Sequence, residues 1–277
     1  MSGRVVDTIY PPGGVRRIIT ASVMAATVMN SLDTTIANVA LPHIQGSVSA
    51  SSDEITWVLT SYIVAVAIMT PLSGWLASRF GRKRVILWSI VIFTLVSGLC
   101  GVANSLGMLV FFRLLQGLGG AALVPLSQAI LLDINPPERH GPAMAIWGMG
   151  AILGPIIGPS LGGWLTDNMT WRWVFYINLP VGVLAFAGLS AFLPDDKGDI
   201  RARLDFFGYG TLALAIGCLQ LMLDRGQTED WFDSAEIIFW AGCTIVFAYI
   251  CVVHTMTAKR PFIDRALFAD RNFLVGS

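Results

Sequence analysis

Charged residues are scarce in this chain. Asp, Glu, Lys and Arg together make up 13% of its 277 residues, whereas 55% are hydrophobic and the mean hydropathy is +0.67. A soluble domain normally carries about a quarter of charged residues. The apolar residues also gather into long blocks, which would have no water-facing side in a soluble fold. The composition therefore excludes an ordinary soluble domain and predicts an all-α membrane protein.

The chain also has no excess of either charge sign, and its cysteines lack the spacing typical of a metal site. Its 18 basic and 18 acidic residues cancel, so it has no basic excess for nucleic acid, and no nucleic-acid partner is expected. The four cysteines lie in apolar blocks without a CxxC pair, which predicts free thiols and no metal. No nucleophile beside a base and no phosphate-binding loop is recognisable, so we expect neither an enzyme nor a cofactor.

Long apolar runs are abundant. A helix needs about 20 mostly apolar residues to cross the hydrocarbon layer. The first run exceeds the length of a signal-peptide core, and Leu41, Pro42 and His43 follow it rather than a small-residue cleavage site, so it should remain in the mature protein. Eight blocks qualify as spans: Ile18–Leu41, Ile55–Ala77, Val85–Ala103, Leu106–Leu131, Ala143–Leu165, Val174–Leu193, Phe206–Leu223 and Ile237–Thr257.

The Lys and Arg residues between the blocks predict the orientation. Fifteen of the 18 fall on the side of the N-terminus, two fall on the other side, at Arg172 and Arg225, and Arg113 lies inside a span. Basic residues in short loops stay on the cytoplasmic side. We therefore expect the N-terminus in the cytoplasm. A last apolar run starts at Phe273 and reaches only Ser277, which we interpret as a truncated ninth span.

Only one acid and one base lie deep inside the first six blocks: Asp33 and Arg113. Charges inside a membrane are costly and usually functional. At 1.5 Å per residue, Asp33 lies about 12 Å and Arg113 about 10 Å from the outer ends of their blocks. If the helices are neighbours, an ion pair can form whose carboxylate exchanges a proton. Alternatively, Asp33 caps a broken helix and Arg113 bonds to backbone carbonyls or reaches toward the lipid headgroups.

Glycines accompany the polar residues of the fourth and fifth blocks. Gln116 and Gly117 share the face of Arg113, at i+3 and i+4. In the fifth block, glycines recur every four residues and two are followed by proline: Gly150, Gly154, Pro155, Gly158, Pro159 and Gly162. Small residues permit close helix contact, and prolines remove backbone donors and bend a helix. This stripe predicts a packed seam; a gating role remains open.

A basic turn joins the second and third blocks. Residues 74–84 contain Arg79, Arg82, Lys83 and Arg84. The turn either sets topology and binds lipid headgroups, or forms a latch that locks one conformation. Trp171 and Trp173, on either side of Arg172, are typical interfacial anchors.

These segments together resemble the major facilitator superfamily, and within it the fourteen-span drug:proton antiporters. Five strings over the whole chain carry the resemblance: Leu32 to Pro42, Gly74 to Arg84, Arg113 to Gly120, Gly150 to Gly163 and Trp171 to Pro180. Their order and their sides match the family, which makes the resemblance specific. One departure is Ser78, because the family's loop motif usually has an aspartate at that position. A charge contact assigned to that aspartate cannot exist here.

The resemblance implies the major facilitator fold, with an N-terminal six-helix bundle and two extra transmembrane helices. Residues 1–17 form the cytoplasmic N-terminus and 18–193 the six-helix transporter half. Residues 194–257 hold the extra pair, and 258–277 form a cytoplasmic link and the truncated start of span nine. The C-terminal half, which should begin near Asn272, is expected to be missing.

The resemblance also implies a function: export of drugs or other amphipathic toxic compounds across the inner membrane, driven by the proton gradient. Asp33 and Arg113 would act in proton coupling, supported by Thr34, Asn38, Gln116 and Gly117. Gly74, Arg79, Gly81 and Arg82 would control conformation, and the glycine helix would prevent leakage. Further cavity candidates are Asn30, Tyr62, Met69, Gln128 and Trp147.

The implied partners are a small amphipathic substrate, protons, the bilayer, the missing half and a periplasmic adaptor protein. Two alternatives stay open at this stage. One is an exporter of an endogenous metabolite or fatty acid on the same scaffold, and the other is a remnant that does not transport.

Overall fold

A computed structural model describes residues 10–199, 202–258 and 261–263. This part of the chain is helical and contains no strand. The predicted ninth-span start at 273–277, most of the link 258–277 and the first nine residues lie outside the described residues. The helices are α1 (Gly13–Val48), α2 (Ser52–Ile55), α3 (Trp57–Phe80), α4 (Arg82–Gly101), α5 (Leu106–Gly120), α6 (Leu123–Asp133), α7 (His140–Asn168), α8 (Trp173–Tyr176), α9 (Asn178–Phe192), α10 (Phe206–Arg225) and α11 (Ala235–Thr257).

Each predicted span coincides with one helix or with two consecutive helices. The largest difference is at α1, which includes Pro42 and ends only where Ser49 adopts a left-handed conformation, with φ of 52°. Asp33 is therefore farther from the end of its helix than the 12 Å that the apolar block indicated, at about 22 Å from Val48. The apolar block ends before the helix does, because a helix can continue beyond the hydrocarbon layer.

Seven of the described helical segments are long and apolar enough to cross a membrane. The chain is thus a multi-pass membrane protein. Helix α1 falls outside this group because polar residues along its middle, including Asn30, Asp33 and Thr34, lower its hydropathy. At 36 residues it is nonetheless long enough to span, and it packs along α7 and α9 as the eighth long segment.

Side chains cap several helices where the sequence supplies a suitable residue. Ser51 and Glu54 form a reciprocal capping box at the start of α2. Ser105 starts α5 by accepting a hydrogen bond from the Met108 amide. These caps satisfy backbone donors that a helix start leaves open, and so fix where the spans begin.

The long helices bury two apolar clusters, one above the other. One cluster surrounds Val23 and Phe93 toward the end of the bundle that carries the basic turn 74–84; we call this end the basic end. The other surrounds Ile44 and Phe175 toward the opposite end. On α1 the first cluster extends to Met29 and the second begins at Ile36. Asp33 lies between them, so apolar layers separate it from both ends of the bundle.

Helices α10 and α11 pack on each other, and α10 packs on α3. Polar contacts fix this arrangement: Tyr209 Oη donates to the Ile68 carbonyl at 3.2 Å, and Thr60 Oγ1 donates to Asp224. At the basic end, Asp205 accepts from the Gly208 amide and from His254 of α11. Burial raises the pKa of Asp205, but these hydrogen bonds outweigh it and hold the pKa below its usual value. The functional division of the chain at residue 194 stays a prediction.

Candidate functional site

Asp33 of α1 and Arg113 of α5 form an ion pair in the interior of the bundle. Arg113 Nη1 lies 2.5 Å from Asp33 Oδ2, and both side chains are 0% exposed. Helix α1 runs unbroken through Asp33, so the alternative in which Asp33 caps a broken helix is wrong. Removing these two charges from water costs on the order of several kcal/mol of desolvation free energy per ion. Good hydrogen bonding must offset this cost.

Two carboxamides complete the hydrogen bonds of the carboxylate. Gln116 Nε2 donates to Asp33 Oδ1 at 3.0 Å, and Asn178 Nδ2 of α9 donates to the same oxygen at 2.8 Å. Gln116 Oε1 in turn accepts from Arg113 Nη1 at 2.9 Å. Two helices, α5 and α9, therefore contribute the donors to one buried carboxylate of α1.

Helix α3 contacts the guanidinium from another side. Arg113 Nε donates to the Val58 carbonyl at 3.2 Å, and Arg113 Cζ lies 4.1 Å from the centre of the Tyr62 ring. The Tyr62 hydroxyl accepts from Asn30 Nδ2 at 2.9 Å. A cation over an aromatic face in a dry environment gains electrostatic attraction. Asn30 and Tyr62 thus contribute to the site as supports of Arg113.

The sequence of α5 explains how Arg113 reaches α1 and α3 together. Gln116 follows it by one turn on the same face, and Gly117 lies directly against α3. A Cβ on Gly117 would lie 2.6 Å from the Tyr62 carbonyl oxygen. Glycine therefore permits an approach of the two helices that any side chain would prevent.

The arrangement suits a charged Asp33. Every polar atom aimed at the carboxylate is a donor without acceptor capacity: a guanidinium nitrogen and two amide nitrogens. A protonated carboxyl group would place its hydroxyl hydrogen against one of these donors. Protonation of Asp33 would therefore require these donors, which we call the shell, to rearrange.

Two predicted supporting residues are not part of the shell. Thr34 Oγ1 donates to the Ser31 carbonyl of its own helix, and Asn38 is exposed. Two residues that the sequence did not predict do belong to the site, Asn178 and Ser97 of α4. Ser97 Oγ accepts a hydrogen bond from Asn178 Nδ2 at 2.9 Å. Asn178 could have been predicted, since it is an amide residue inside an apolar block. Ser97 carries no such signal, because a lone serine is common in membrane helices.

Helices α1 and α7 form the seam that the glycine stripe predicts. Gly150, Gly154, Gly158 and Gly162 are all buried, and Met24, Ser31, Thr35 and Ile36 of α1 lie against them. Pro155 cannot donate to the Ala151 carbonyl one turn earlier, and Ser31 Oγ donates to that carbonyl instead, at 2.9 Å. Helix α7 is continuous through both prolines. Its role against leakage stays a prediction.

We expect Gly154→Ala to destabilise the seam. The added Cβ would lie 2.7 Å from the Ser31 backbone carbonyl carbon, so α1 and α7 must separate, at a cost of about 1–3 kcal/mol. Gly163→Ala is the matched control, because nothing lies within 4 Å of a Cβ there. The midpoint of thermal unfolding in detergent measures both variants. Equal midpoints would contradict the tight seam.

The basic turn is tied to the segment that leads to α10. Gly81 has φ of 89°, and the Arg82 and Lys83 amides at the start of α4 donate to Asp196, at 2.5 and 3.1 Å. Arg79 Nη1 donates to the Ala202 carbonyl at 2.8 Å. Arg82 pairs with Asp133 at the end of α6. Arg79 and Arg82 thus bond to neighbouring segments, and Gly81 permits the close approach of Asp196, whose carbonyl oxygen would lie 2.6 Å from a Cβ there. A Cβ on Gly74 would meet nothing within 4 Å.

Ser78 makes no charge contact of its own. Its hydroxyl donates to the Trp75 carbonyl of the same helix. The negative charge near the turn comes instead from Asp195, Asp196 and Asp133. Lys83 Nζ lies 2.9 Å from Asp195 Oδ1, and this hydrogen bond holds the pKa of Asp195 below its usual value. The choice between a lipid-binding turn and a conformational latch stays open.

We expect Asp196→Ala to loosen the segment 194–199. The substitution removes the cap of α4, which costs about 1 kcal/mol, and exposes the chain at Lys197 to trypsin. Asp195→Ala is the matched control, because Asp195 contacts only the Lys83 side chain among these groups. The initial rate of trypsin cleavage after Lys197 should rise severalfold for the first variant and little for the second. The reverse order would contradict the capping role.

Comparison with known proteins decides the family. The model of the Major Facilitator Superfamily matches residues 23–264. The chain belongs to the major facilitator superfamily. Solved members of this superfamily share its fold: the peptide transporter POT matches with a TM-score of 0.64 at 16% identity, covering 91% of this chain and 55% of that one. A likeness at that identity shows the fold alone.

Curated major facilitator relatives are much closer in sequence. The multidrug export protein EmrB of Haemophilus influenzae is 44% identical over 270 residues, which cover 96% of this chain and 53% of that protein. The fatty acid resistance protein FarB of Neisseria gonorrhoeae is 41% identical over 271 residues, which cover 97% of this chain and 54% of that protein. The chain spans about half the length of the relatives it matches, and this half is their N-terminal part. Family and fold are those of a transporter rather than an enzyme.

Proposed function

We propose that this chain is the N-terminal part of a proton-coupled antiporter that exports drugs or other amphipathic toxic compounds. The observation that carries the proposal is the fully buried pair of Asp33 and Arg113, whose shell suits only the charged carboxylate. Buried intramembrane carboxylates with a basic partner are typical of proton relays in transporters. The 44% identity to a protein named for multidrug export supports this substrate class.

The proposed coupling follows from the electrostatics of the shell. In the charged state, Asp33 holds α1 to α5 and α9 through Arg113, Gln116 and Asn178. A proton delivered to Asp33 removes the countercharge of Arg113 and places a hydroxyl hydrogen against a donor of the shell. The two protonation states therefore favour different helix arrangements, and a proton gradient biases the equilibrium between them. Substrate export would use the opposite step of the same cycle.

The proposal includes the setting of the protein. The distribution of Lys and Arg supports a cytoplasmic N-terminus in the inner membrane. Carriers of this type bind substrate between two halves that rock against each other. A second half therefore completes the cavity in our proposal, and a periplasmic adaptor is a further proposed partner. The proton gradient supplies the energy, so no cofactor takes part.

A second candidate substrate is a fatty acid. The observation that favours it is the 41% identity to the fatty acid resistance protein FarB. Arg113 is paired with Asp33 and would not be available to a substrate carboxylate in the arrangement described here. Competition separates the two candidates: a long-chain fatty acid should inhibit transport of a lipophilic cation if both use one cavity.

Transport of ethidium into inside-out membrane vesicles tests the proposed function. The complete protein that contains this chain should take up ethidium when the vesicle interior is acidified, and a protonophore should abolish uptake. The chain of 277 residues alone should not, because it supplies one side of the cavity. Absence of uptake by both proteins, for ethidium and for fatty acids, would favour the remnant and overturn the proposal.

A further inference from the structure

We propose that Asn178 is a positioning residue of the proton site, and that it joins α9 and α4 to the charged form of Asp33. The inference rests on the proposed role of Asp33 in coupling and adds a second set of helices to it. Asn178 is 1% exposed, and its Nδ2 lies 2.8 Å from Asp33 Oδ1 and 2.9 Å from Ser97 Oγ. Both hydrogens of the amide nitrogen are thus engaged.

The hydrogen bonds of Ser97 fix the orientation of the Asn178 amide. The Ser97 hydroxyl has one hydrogen, which it donates to the Phe175 carbonyl at 2.9 Å. Toward Asn178 it can therefore only accept. A charged Asp33 can also only accept. The group between two acceptors must be the NH₂ of Asn178, because an amide oxygen there would face a carboxylate and a lone pair.

The hydrogen-bonded series Asp33, Asn178, Ser97 and Phe175 connects four elements of the bundle, beginning with Asp33 on α1. Asn178 is the first residue of α9, Ser97 lies on α4, and Phe175 belongs to α8 just before the junction with α9. All four residues are buried. Helix α9 therefore contacts the carboxylate through this amide, and α4 reaches the site through Ser97 as well as through Cys100, whose Sγ donates to Gln116 Oε1 at 3.6 Å. Loss of the charge on Asp33 weakens the bond that holds the start of α9 against α1.

The other groups that face Asp33 cannot replace this link. Arg113 comes from α5, Tyr62 from α3 and Cys100 from α4. Helix α9 carries no titratable residue, and those of α7, His140 and Asp167, lie at its ends. Asn178 is thus the contact of α9 with the charged site within the part of the chain that the structure describes. A hydrogen bond to an ionised group is stronger than one to a neutral group, so its loss should be measurable as a change in pH dependence.

The test compares pH profiles of ethidium transport by the complete protein, at a fixed pH difference across the vesicle membrane. Asn178→Ala removes one of the donors to the charged carboxylate, so the charged state of the site loses a stabilising hydrogen bond. The acidic limb of the profile should move up by about one pH unit, a size that corresponds to one hydrogen bond to a charged group. Ser97→Ala frees Asn178 from its second anchor and should move the limb in the same direction by less.

Thr94→Val is the matched control. Thr94 is buried one turn before Ser97 on α4, and its hydroxyl has no hydrogen-bond partner among the described residues. This variant should keep the wild-type profile. If Asn178→Ala and Ser97→Ala keep it as well, while Asp33→Asn abolishes coupled transport, Asn178 has no positioning role and the inference is wrong. If transport does not depend on Asp33, the proposed function fails first, and the two failures are distinguishable.

Discussion

Replacing Asp33 with Asn should reduce proton-driven ethidium transport by the complete protein to the background of vesicles that lack it. The substitution keeps the size of the side chain and removes the titratable group. Asp33 is 0% exposed and every polar group around it donates to it, so no neighbouring carboxylate can take over the proton. The measurement is the initial rate of uptake into inside-out vesicles at an imposed pH difference.

Two further variants separate charge from position. Asp33→Glu keeps a carboxylate and should retain part of the coupled transport. Asp167→Asn removes a carboxylate that lies near the end of α7, with its side chain 71% exposed, and should transport like the wild type. Full proton-driven uptake by Asp33→Asn would remove Asp33 from the coupling mechanism.

Replacing Arg113 with Met should destabilise the complete protein by about 3–5 kcal/mol, because it leaves a buried carboxylate without a countercharge. Gln116 and Asn178 still donate to Asp33 in this variant, but neither carries a positive charge. The midpoint of thermal unfolding in detergent should fall accordingly. Transport should fall to background as well, since the ion pair on which the proposed coupling depends is lost.

The double variant Asp33→Asn with Arg113→Met identifies the source of that loss. With both charges removed, the desolvation penalty disappears, and most of the stability should return while transport stays at background. If the double variant is as unstable as Arg113→Met, the loss comes from the packing of Arg113 on Tyr62. That result would contradict the electrostatic explanation.

The sequence predicts the number and type of the long helices well, because the bilayer sets their length. Each of the eight predicted blocks is helical in the structure, within a few residues at most ends. Helix ends were less predictable. The apolar block stopped at Leu41, whereas α1 continues to Val48, since hydropathy reports the lipid layer and hydrogen bonding determines where a helix ends.

The centre of the site was also predictable, and its periphery was not. An intramembrane acid and base at similar depth predict the pair of Asp33 and Arg113, because neither charge is tolerated there alone. The participation of Asn178 and Ser97 depends on which helices are neighbours, and spacing along one helix carries no such information. The same limit applies to Ser31, which supplies the donor that Pro155 lacks only because α1 and α7 are in contact.

The basic turn shows a different limit. The departure at Ser78 indicated that one charge contact must be missing, and the hydroxyl does return to its own helix. Nothing in the sequence indicated that Asp196, more than a hundred residues away, caps α4 beside that position. An exposed aspartate in a polar link has many possible partners, and only the path of the chain selects one.

Proton movement coupled to substrate is the most direct measurement of the central claim. The complete protein would be reconstituted into liposomes that contain the pH-sensitive dye pyranine, and tetraphenylphosphonium would be added outside. We predict that entry of the cation drives protons out and raises the internal pH in the wild type, and that Asp33→Asn gives no pH change. An equal pH change in both proteins would show that protons move by another route and would contradict the account.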